Sequence, residues 1–399
     1  MKPAGEGRAW LVVAGGVAAA VHVGKPPPAI PVLREALGLT LVEAGFLLSL
    51  VQFAGMTLGL MVGLAADRLG LKRTMVAGLA LTGAASIAGG FVTTPAALLA
   101  LRALEGLGFL LASMPAPGLI RRLVAAQRMS AMLGVWGAYM PFATALALLC
   151  GPAWMAWAGW PGWWWLLGAL SLVMAFALAS QLPRDPHTAG AGPAQWSARI
   201  RRTLAAPGPW LVAFAFGVYS AQWLAVIGFL PSIYLAAGIA PSTAAAATAF
   251  AAAVNMTGNL ASGRLLQRGV PAPRLLAIGY ITMAAAAVLA FSGALPATGA
   301  GPVLRYVAVL AFSAVGGVIP GTLFSLAVRL APGEDTVSTT VGWMQQWSAL
   351  GQFLGPPAVA WVAARAGCWQ WSWLVTAGCA ACGLWLAAWA RRLPQARPH

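Results

Sequence analysis

The chain is 399 residues long, 60% hydrophobic and 8% charged, with a formal net charge of +16. Its mean hydropathy is +0.80. No stretch is polar and long enough to form the basic soluble domain that nucleic-acid binding needs, so a nucleic-acid partner is excluded. A β-barrel would alternate in runs of about ten residues, whereas this chain carries continuous Ala-, Leu- and Gly-rich runs.

Each apolar run is about 20 residues, enough to cross a ~30 Å hydrocarbon layer as a helix rising ~1.5 Å per residue. The predicted spans are 9–33, 41–66, 74–93, 96–120, 129–152, 163–182, 209–235, 243–266, 274–295, 303–328, 338–364 and 369–390. An all-α membrane protein with 12 transmembrane helices is expected. An even number of spans puts both termini on one side. With that side cytoplasmic, all Lys and Arg except Lys25, Arg34, Arg102, Arg305 and Arg365 fall in cytoplasmic loops or tails. This positive-inside bias sets the orientation. The first apolar run is read as a span and not as a cleaved leader, because removing it would break the parity.

Span one carries His22 and Lys25 just before Pro26, Pro27 and Pro28. With Trp10 at the inner interface, His22 lies ~18 Å and Lys25 ~22 Å along the helix, and their spacing puts them on one face. Between spans two and three comes a tight charged turn with Gly63, Asp67, Arg68, Gly70, Lys72 and Arg73. Span four runs the other way and carries Arg102 and Glu105, again on one face and at a depth similar to the first pair. Ionisable side chains inside a span are costly and mark functional sites. With Glu105 neutralising Arg102, Lys25 is left as the free cation and the expected anion-binding group, and His22 is a candidate proton carrier.

Span five offers Trp136 and Tyr139 as an aromatic wall. Trp154, Trp157, Trp160, Trp163, Trp164 and Trp165 cluster at the turn into span six, and read as an interfacial belt. Residues 183–208 are polar, basic and rich in Pro and Gly, and read as a cytoplasmic linker between a bundle at 1–182 and a second at 209–399. The second half has a neutral polar set: Tyr219 and Gln222 on span seven, Asn255 and Asn259 on span eight, Gln345 and Gln346 on span eleven. Amides both donate and accept, which suits a small polar solute. Cys379 and Cys382 lie mid-span and read as apolar filler. No metal and no cofactor are expected, because ligand pairs at helical spacing and nucleotide-binding loops are missing.

The halves echo each other. Pro31 and Gly38 recur as Pro231 and Gly238, and Asp67-Arg68 with Lys72 as Gly263-Arg264 with Arg268. Such internal symmetry suits a transporter built from repeats. The segment from Gly63 to Arg73 resembles the loop 2–3 signature of the major facilitator superfamily, and Arg102, Glu105, Gly106 and Gly108 resemble its fourth-helix motif. Pro31 to Arg34, Gly228 to Tyr234 and Gly316 to Pro320 resemble the cyanate-transporter type within it. The resemblance implies two pseudo-symmetric six-helix bundles and alternating access, with helices one, four, seven, eight and eleven facing a central cavity. It also implies that Asp67, with Arg68, Gly70, Lys72 and Arg73, forms a state-dependent latch, and that Arg102 and Glu105 serve coupling. One departure matters. Drug exporters of the superfamily carry a Gly-Pro motif in mid helix five, and here Gly151-Pro152 comes only at its outer end.

The leading expectation is a monomeric secondary or facilitative transporter of a small anionic or polar solute, with a proton as candidate co-substrate, in a bacterial-type cytoplasmic membrane. The alternative is a proton-coupled exporter of hydrophobic or cationic compounds, which would want an acid in span one, where none stands. No enzyme signature is present.

Overall fold

The computed structural model describes the backbone of residues 4–125, 132, 135–185 and 193–392, and their side chains except at 4, 5, 63–69 and 193–195. The side chains of Gly63, Asp67 and Arg68, and part of the 183–208 linker, therefore lie outside the described residues.

Among the described residues the regular structure is helical throughout. The α-helices are α1 (Ala4–Gly24), α2 (Ile30–Leu37), α3 (Leu41–Ser49), α4 (Phe53–Leu69), α5 (Leu71–Gly89), α6 (Pro95–Ser113), α7 (Ala116–Leu123), α8 (Tyr139–Gln181) and α9 (Pro193–Ala205). They continue as α10 (Pro207–Ala236), α11 (Pro241–Ala253), α12 (Asn255–Gln267), α13 (Ala272–Phe291), α14 (Gly301–Gly316), α15 (Val318–Leu330), α16 (Val337–Ala366) and α17 (Trp373–Ala390).

Several expected spans are broken, each for a local reason. Span one becomes α1 and α2, because Pro26, Pro27 and Pro28 lack the amide hydrogens that would continue α1. Span two divides at a 3-10 turn, Leu50–Gln52, into α3 and α4. Thr40 and Glu43 close the start of α3 as a capping box. Spans eight and ten each divide mid-way, at Val254 and at Gly316-Gly317. Spans five and six meet inside α8 at Gly159, whose φ of 69° only glycine adopts freely.

Eight helical stretches of the described residues are long and apolar enough to cross a membrane. They take in α1–α2, most of α3–α4, α6–α7, α8, α10, α13, α14–α15 and α17. The remaining expected spans, α5, α11–α12 and α16, are richer in Ala, Gly, Ser, Thr and amides, which lowers their hydropathy.

The chain divides into two compact units, Met1–Ala191 with Leu230–Ala249, and Gly192–Phe229 with Phe250–His399. In the first unit α5 packs on α6, and both α1 and α5 pack on α8. In the second, α13 packs on α14 and α17, and α12 packs on α14 and α15. The linker is not plain coil. It holds the amphipathic helix α9, which Arg202 fixes to Asp335 at 3.0 Å.

Candidate functional site

The first unit holds a charged cluster at the level of the break after α1. Lys25 follows the last residue of α1, and its freed carbonyl accepts from Trp163 Nε1 at 3.3 Å. Its ammonium donates to Glu105 Oε1 at 2.5 Å and to Ser86 Oγ at 2.9 Å, and sits 4.4 Å from the centroid of the Trp164 ring. Arg102 Nη1 donates to Glu105 Oε2 at 2.5 Å. Its Nε donates to Leu47 O at 3.0 Å, a carbonyl near the end of α3, where the chain passes into the 3-10 turn. His22 Nε2 stands 2.9 Å from Ser171 Oγ, and its Nδ1 3.8 Å from Glu105 Oε2.

Close backbone approach makes this possible. A Cβ added at Gly106 would lie 2.9 Å from Val51 Cα, and one at Gly108 would lie 2.6 Å from Thr82 N. These glycines follow Glu105 and let α6 press against the Leu50–Gln52 turn and α5.

All four ionisable groups are buried, at 0% exposure for His22 and Lys25 and 1% for Arg102 and Glu105. The expectation that Lys25 is the free cation is corrected: Glu105 serves both cations, one on each carboxylate oxygen. The expectation that the four line an open cavity is corrected too. Their partners Ser86, Ser171 and Trp164 belong to α5 and α8, so the side chains point into the interior of their own bundle. Desolvation drives this, since a buried charge needs its partners from the neighbouring helices. With the ring of His22 neutral, the cluster sums to +1. Arg102 Nη2 and His22 Nδ1 have no hydrogen-bond partner among the described residues.

Other expected residues fall in separate places. Trp136 and Tyr139 stack, with ring centroids 4.2 Å apart and an interplanar angle of 13°. Trp136 lies against Gly16 of α1. In the second unit Asn255 joins three helices. Its amide nitrogen donates to Tyr219 OH and to Ser313 O, both at 2.9 Å, and its Oδ1 accepts from Asn259 Nδ2 at 3.0 Å. Gln222 is buried, donates to Val218 O at 3.1 Å, and leaves Oε1 unpaired among the described residues. Gln345 and Gln346 are half-buried on α16.

At the start of α5, Gly70 takes φ 91°, and Asp185 lies where its Cβ would be. Asp185 accepts from the backbone amides of Lys72 at 3.0 Å and Arg73 at 3.1 Å, and Lys72 Nζ donates to Leu182 O at 2.6 Å. Sequence reasoning missed the capping role of Asp185, although an acid within a basic linker was a usable signal. It also missed Ser86, Ser171 and Ser313, which as small neutral residues carry no distinguishing signal.

The sequence profile of the Major Facilitator Superfamily matches residues 12–351. No curated protein matches. Solved structures do, at identities that speak for the fold alone. A bacterial homologue of the human lysosomal transporter Spinster is 16% identical in its inward-facing, unoccupied form, with TM-score 0.72 over 97% of this chain and 94% of that one. Its inward-facing, occupied form is 14% identical, with TM-score 0.76 over 98% and 97%. A D-xylose–proton symporter is 16% identical, with TM-score 0.75 over 97% of each chain. Family match, helical membrane spans and fold agree: the chain belongs to the major facilitator superfamily and is a multi-pass membrane transporter, not an enzyme.

Proposed function

We propose that this transporter moves a small anionic or polar solute across a bacterial-type cytoplasmic membrane by alternating access, with both termini cytoplasmic. The observation that carries the reading is the sharing of one carboxylate, Glu105, by Lys25 and Arg102 in a site excluded from water. A buried excess of positive charge attracts an anion and repels a cation. Arg102 Nη2, which has no acceptor among the described residues, supplies a donor.

Lys25, Arg102 and His22 form the charged part of this site. Trp136 and Tyr139 are its proposed neutral contacts in the first unit, and Tyr219, Gln222, Asn255, Asn259, Gln345 and Gln346 are proposed as solute contacts of the second unit. The turn at Gly63, Asp67, Arg68, Gly70, Lys72 and Arg73 acts in gating, together with Arg102 and Glu105. Organisation as 1–182, linker 183–208 and 209–399 fits that scheme.

The test is uptake into proteoliposomes of a panel of small monovalent anions, neutral polar solutes and lipophilic cations, comparing wild type with Lys25→Gln. Anion uptake lost in the variant is expected. Uptake of lipophilic cations alone would favour the exporter, and equal anion uptake by the variant would remove Lys25 from the site.

A further inference from the structure

The end of the second unit where α17 stops carries unbalanced positive charge. After Asp185 the chain's acids are Glu334 and Asp335 alone, both in the 3-10 turn before α16. Asp335 is committed to Arg202 at 3.0 Å, with Arg199 at 4.0 Å. Arg274 in the first turn of α13, and Arg391 and Arg392 just past the end of α17, are exposed. None of these three pairs with a carboxylate among the described residues.

Helix packing brings the three to one level. A Cβ added at Gly383 of α17 would meet the Tyr280 ring of α13, and one at Gly293, just past α13, would lie 3.4 Å from Gln370 Nε2. The step from Tyr280 forward to Gly293 equals the step from Gly383 back to Gln370, so the two helices are antiparallel in a fixed register. That register sets Arg274 level with Trp389, and Arg391 and Arg392 only about 3–4.5 Å further along. Packed helix axes lie about 8–10 Å apart, a gap that arginine side chains from both helices bridge to one headgroup. The same faces continue as apolar surface. Ile278 and Ile281 follow Arg274 at helical spacing on α13, and Trp385 precedes Arg392 on α17, at 45%, 55% and 67% exposure. Trp385 and Trp389 lie with ring centroids 5.9 Å apart, and indoles gather where a bilayer meets water.

We propose that Arg274, Arg391 and Arg392 form a binding site for an anionic phospholipid, with its phosphate on the arginines and an acyl chain along Ile278, Ile281 and Trp385. Guanidinium groups present paired N–H donors that match phosphate oxygens. A zwitterionic lipid has the same phosphate but brings a cation of its own, which three uncompensated arginines repel. The site therefore selects net negative headgroups. The apolar strip beneath the arginines distinguishes a lipid from a soluble phosphate, because only a lipid covers both parts at once. The site stands apart from the solute reading above and does not depend on it.

Native mass spectrometry of the full chain, released from detergent micelles, tests this. The probes are phosphatidylglycerol and phosphatidylcholine with the same acyl chains, and glycerol 3-phosphate as the headgroup alone. Wild type is expected to prefer phosphatidylglycerol by about tenfold or more. Arg274→Gln should weaken phosphatidylglycerol binding about fivefold, and the triple variant Arg274→Gln, Arg391→Gln, Arg392→Gln about a hundredfold. A control triple variant, Arg201→Gln, Arg264→Gln, Arg329→Gln, removes the same charge from other exposed positions of the second unit and should keep the wild-type affinity. Equal retention of both lipids by wild type would overturn the proposal, as would equal weakening in the two triple variants. Glycerol 3-phosphate binding as tightly as the lipid would also overturn it, and would give the arginines to a soluble phosphate instead.

Discussion

Glu105→Gln and Lys25→Met are matched perturbations of similar size and opposite charge consequence. Glu105 accepts from Lys25 and Arg102 at 2.5 Å each, and all three side chains are at most 1% exposed. The glutamine variant leaves two uncompensated cations in a dry site, which costs about 3–5 kcal/mol, the penalty for removing one partner of a buried pair. The methionine variant leaves Arg102 and Glu105 as a neutral pair. Ser86 keeps its bond to Trp164 O at 2.8 Å, and Trp163 keeps its bond to the backbone carbonyl of residue 25. The loss is then two hydrogen bonds, to Glu105 Oε1 and Ser86 Oγ, and the contact with the Trp164 ring, about 1.5–3 kcal/mol. Unfolding by SDS in mixed micelles, followed by near-ultraviolet circular dichroism, measures both. Equal losses in the two variants would refute the argument that the cluster carries excess positive charge.

Asp185→Ala removes the acceptor of the Lys72 and Arg73 amides, and a lost helix cap costs about 0.5–2 kcal/mol. Faster hydrogen exchange at the start of α5 is the expected result, and unchanged exchange there would dismiss the capping role. Asn255→Ala takes the donor from the buried Tyr219 OH in the second unit, for about 1–3 kcal/mol, while Ser313 O keeps the Gly317 amide at 3.0 Å. A smaller shift than Gln345→Ala in the same unfolding assay would show that the amide joins nothing of consequence. Gly106→Val drives a side chain into Val51 and should cost about 1–3 kcal/mol by overpacking. It should also displace Glu105, so anion uptake should fall more than in a valine substitution at Gly7, where a Cβ meets nothing within 4 Å.

The membrane class and the span positions were legible because a hydrocarbon layer imposes length and composition directly. The breaks were less so. Pro26 to Pro28 announce the end of α1, but Val254 and the Leu50–Gln52 turn have no such marker, since tertiary packing sets them. Helical spacing placed His22 with Lys25 and Arg102 with Glu105, and depth arithmetic brought the pairs to one level. It did not give the rotation of each helix about its axis. That rotation turns the four side chains toward Ser86 and Ser171, and gives Glu105 to both cations. The charged turn was recognised from Asp67 and its basic neighbours, yet the acid that caps α5 is Asp185, more than a hundred residues away. Contacts of that sequence separation leave no periodic trace.

Anion binding to the purified protein is the most direct measurement of the account. A ligand at a hundred times its dissociation constant stabilises by about 2.7 kcal/mol, which thermal unfolding in detergent resolves. Small monovalent anions, with sodium and potassium salts compared, should stabilise wild type and leave Lys25→Gln unmoved. Stabilisation of both proteins alike, or of wild type by lipophilic cations instead, would contradict it.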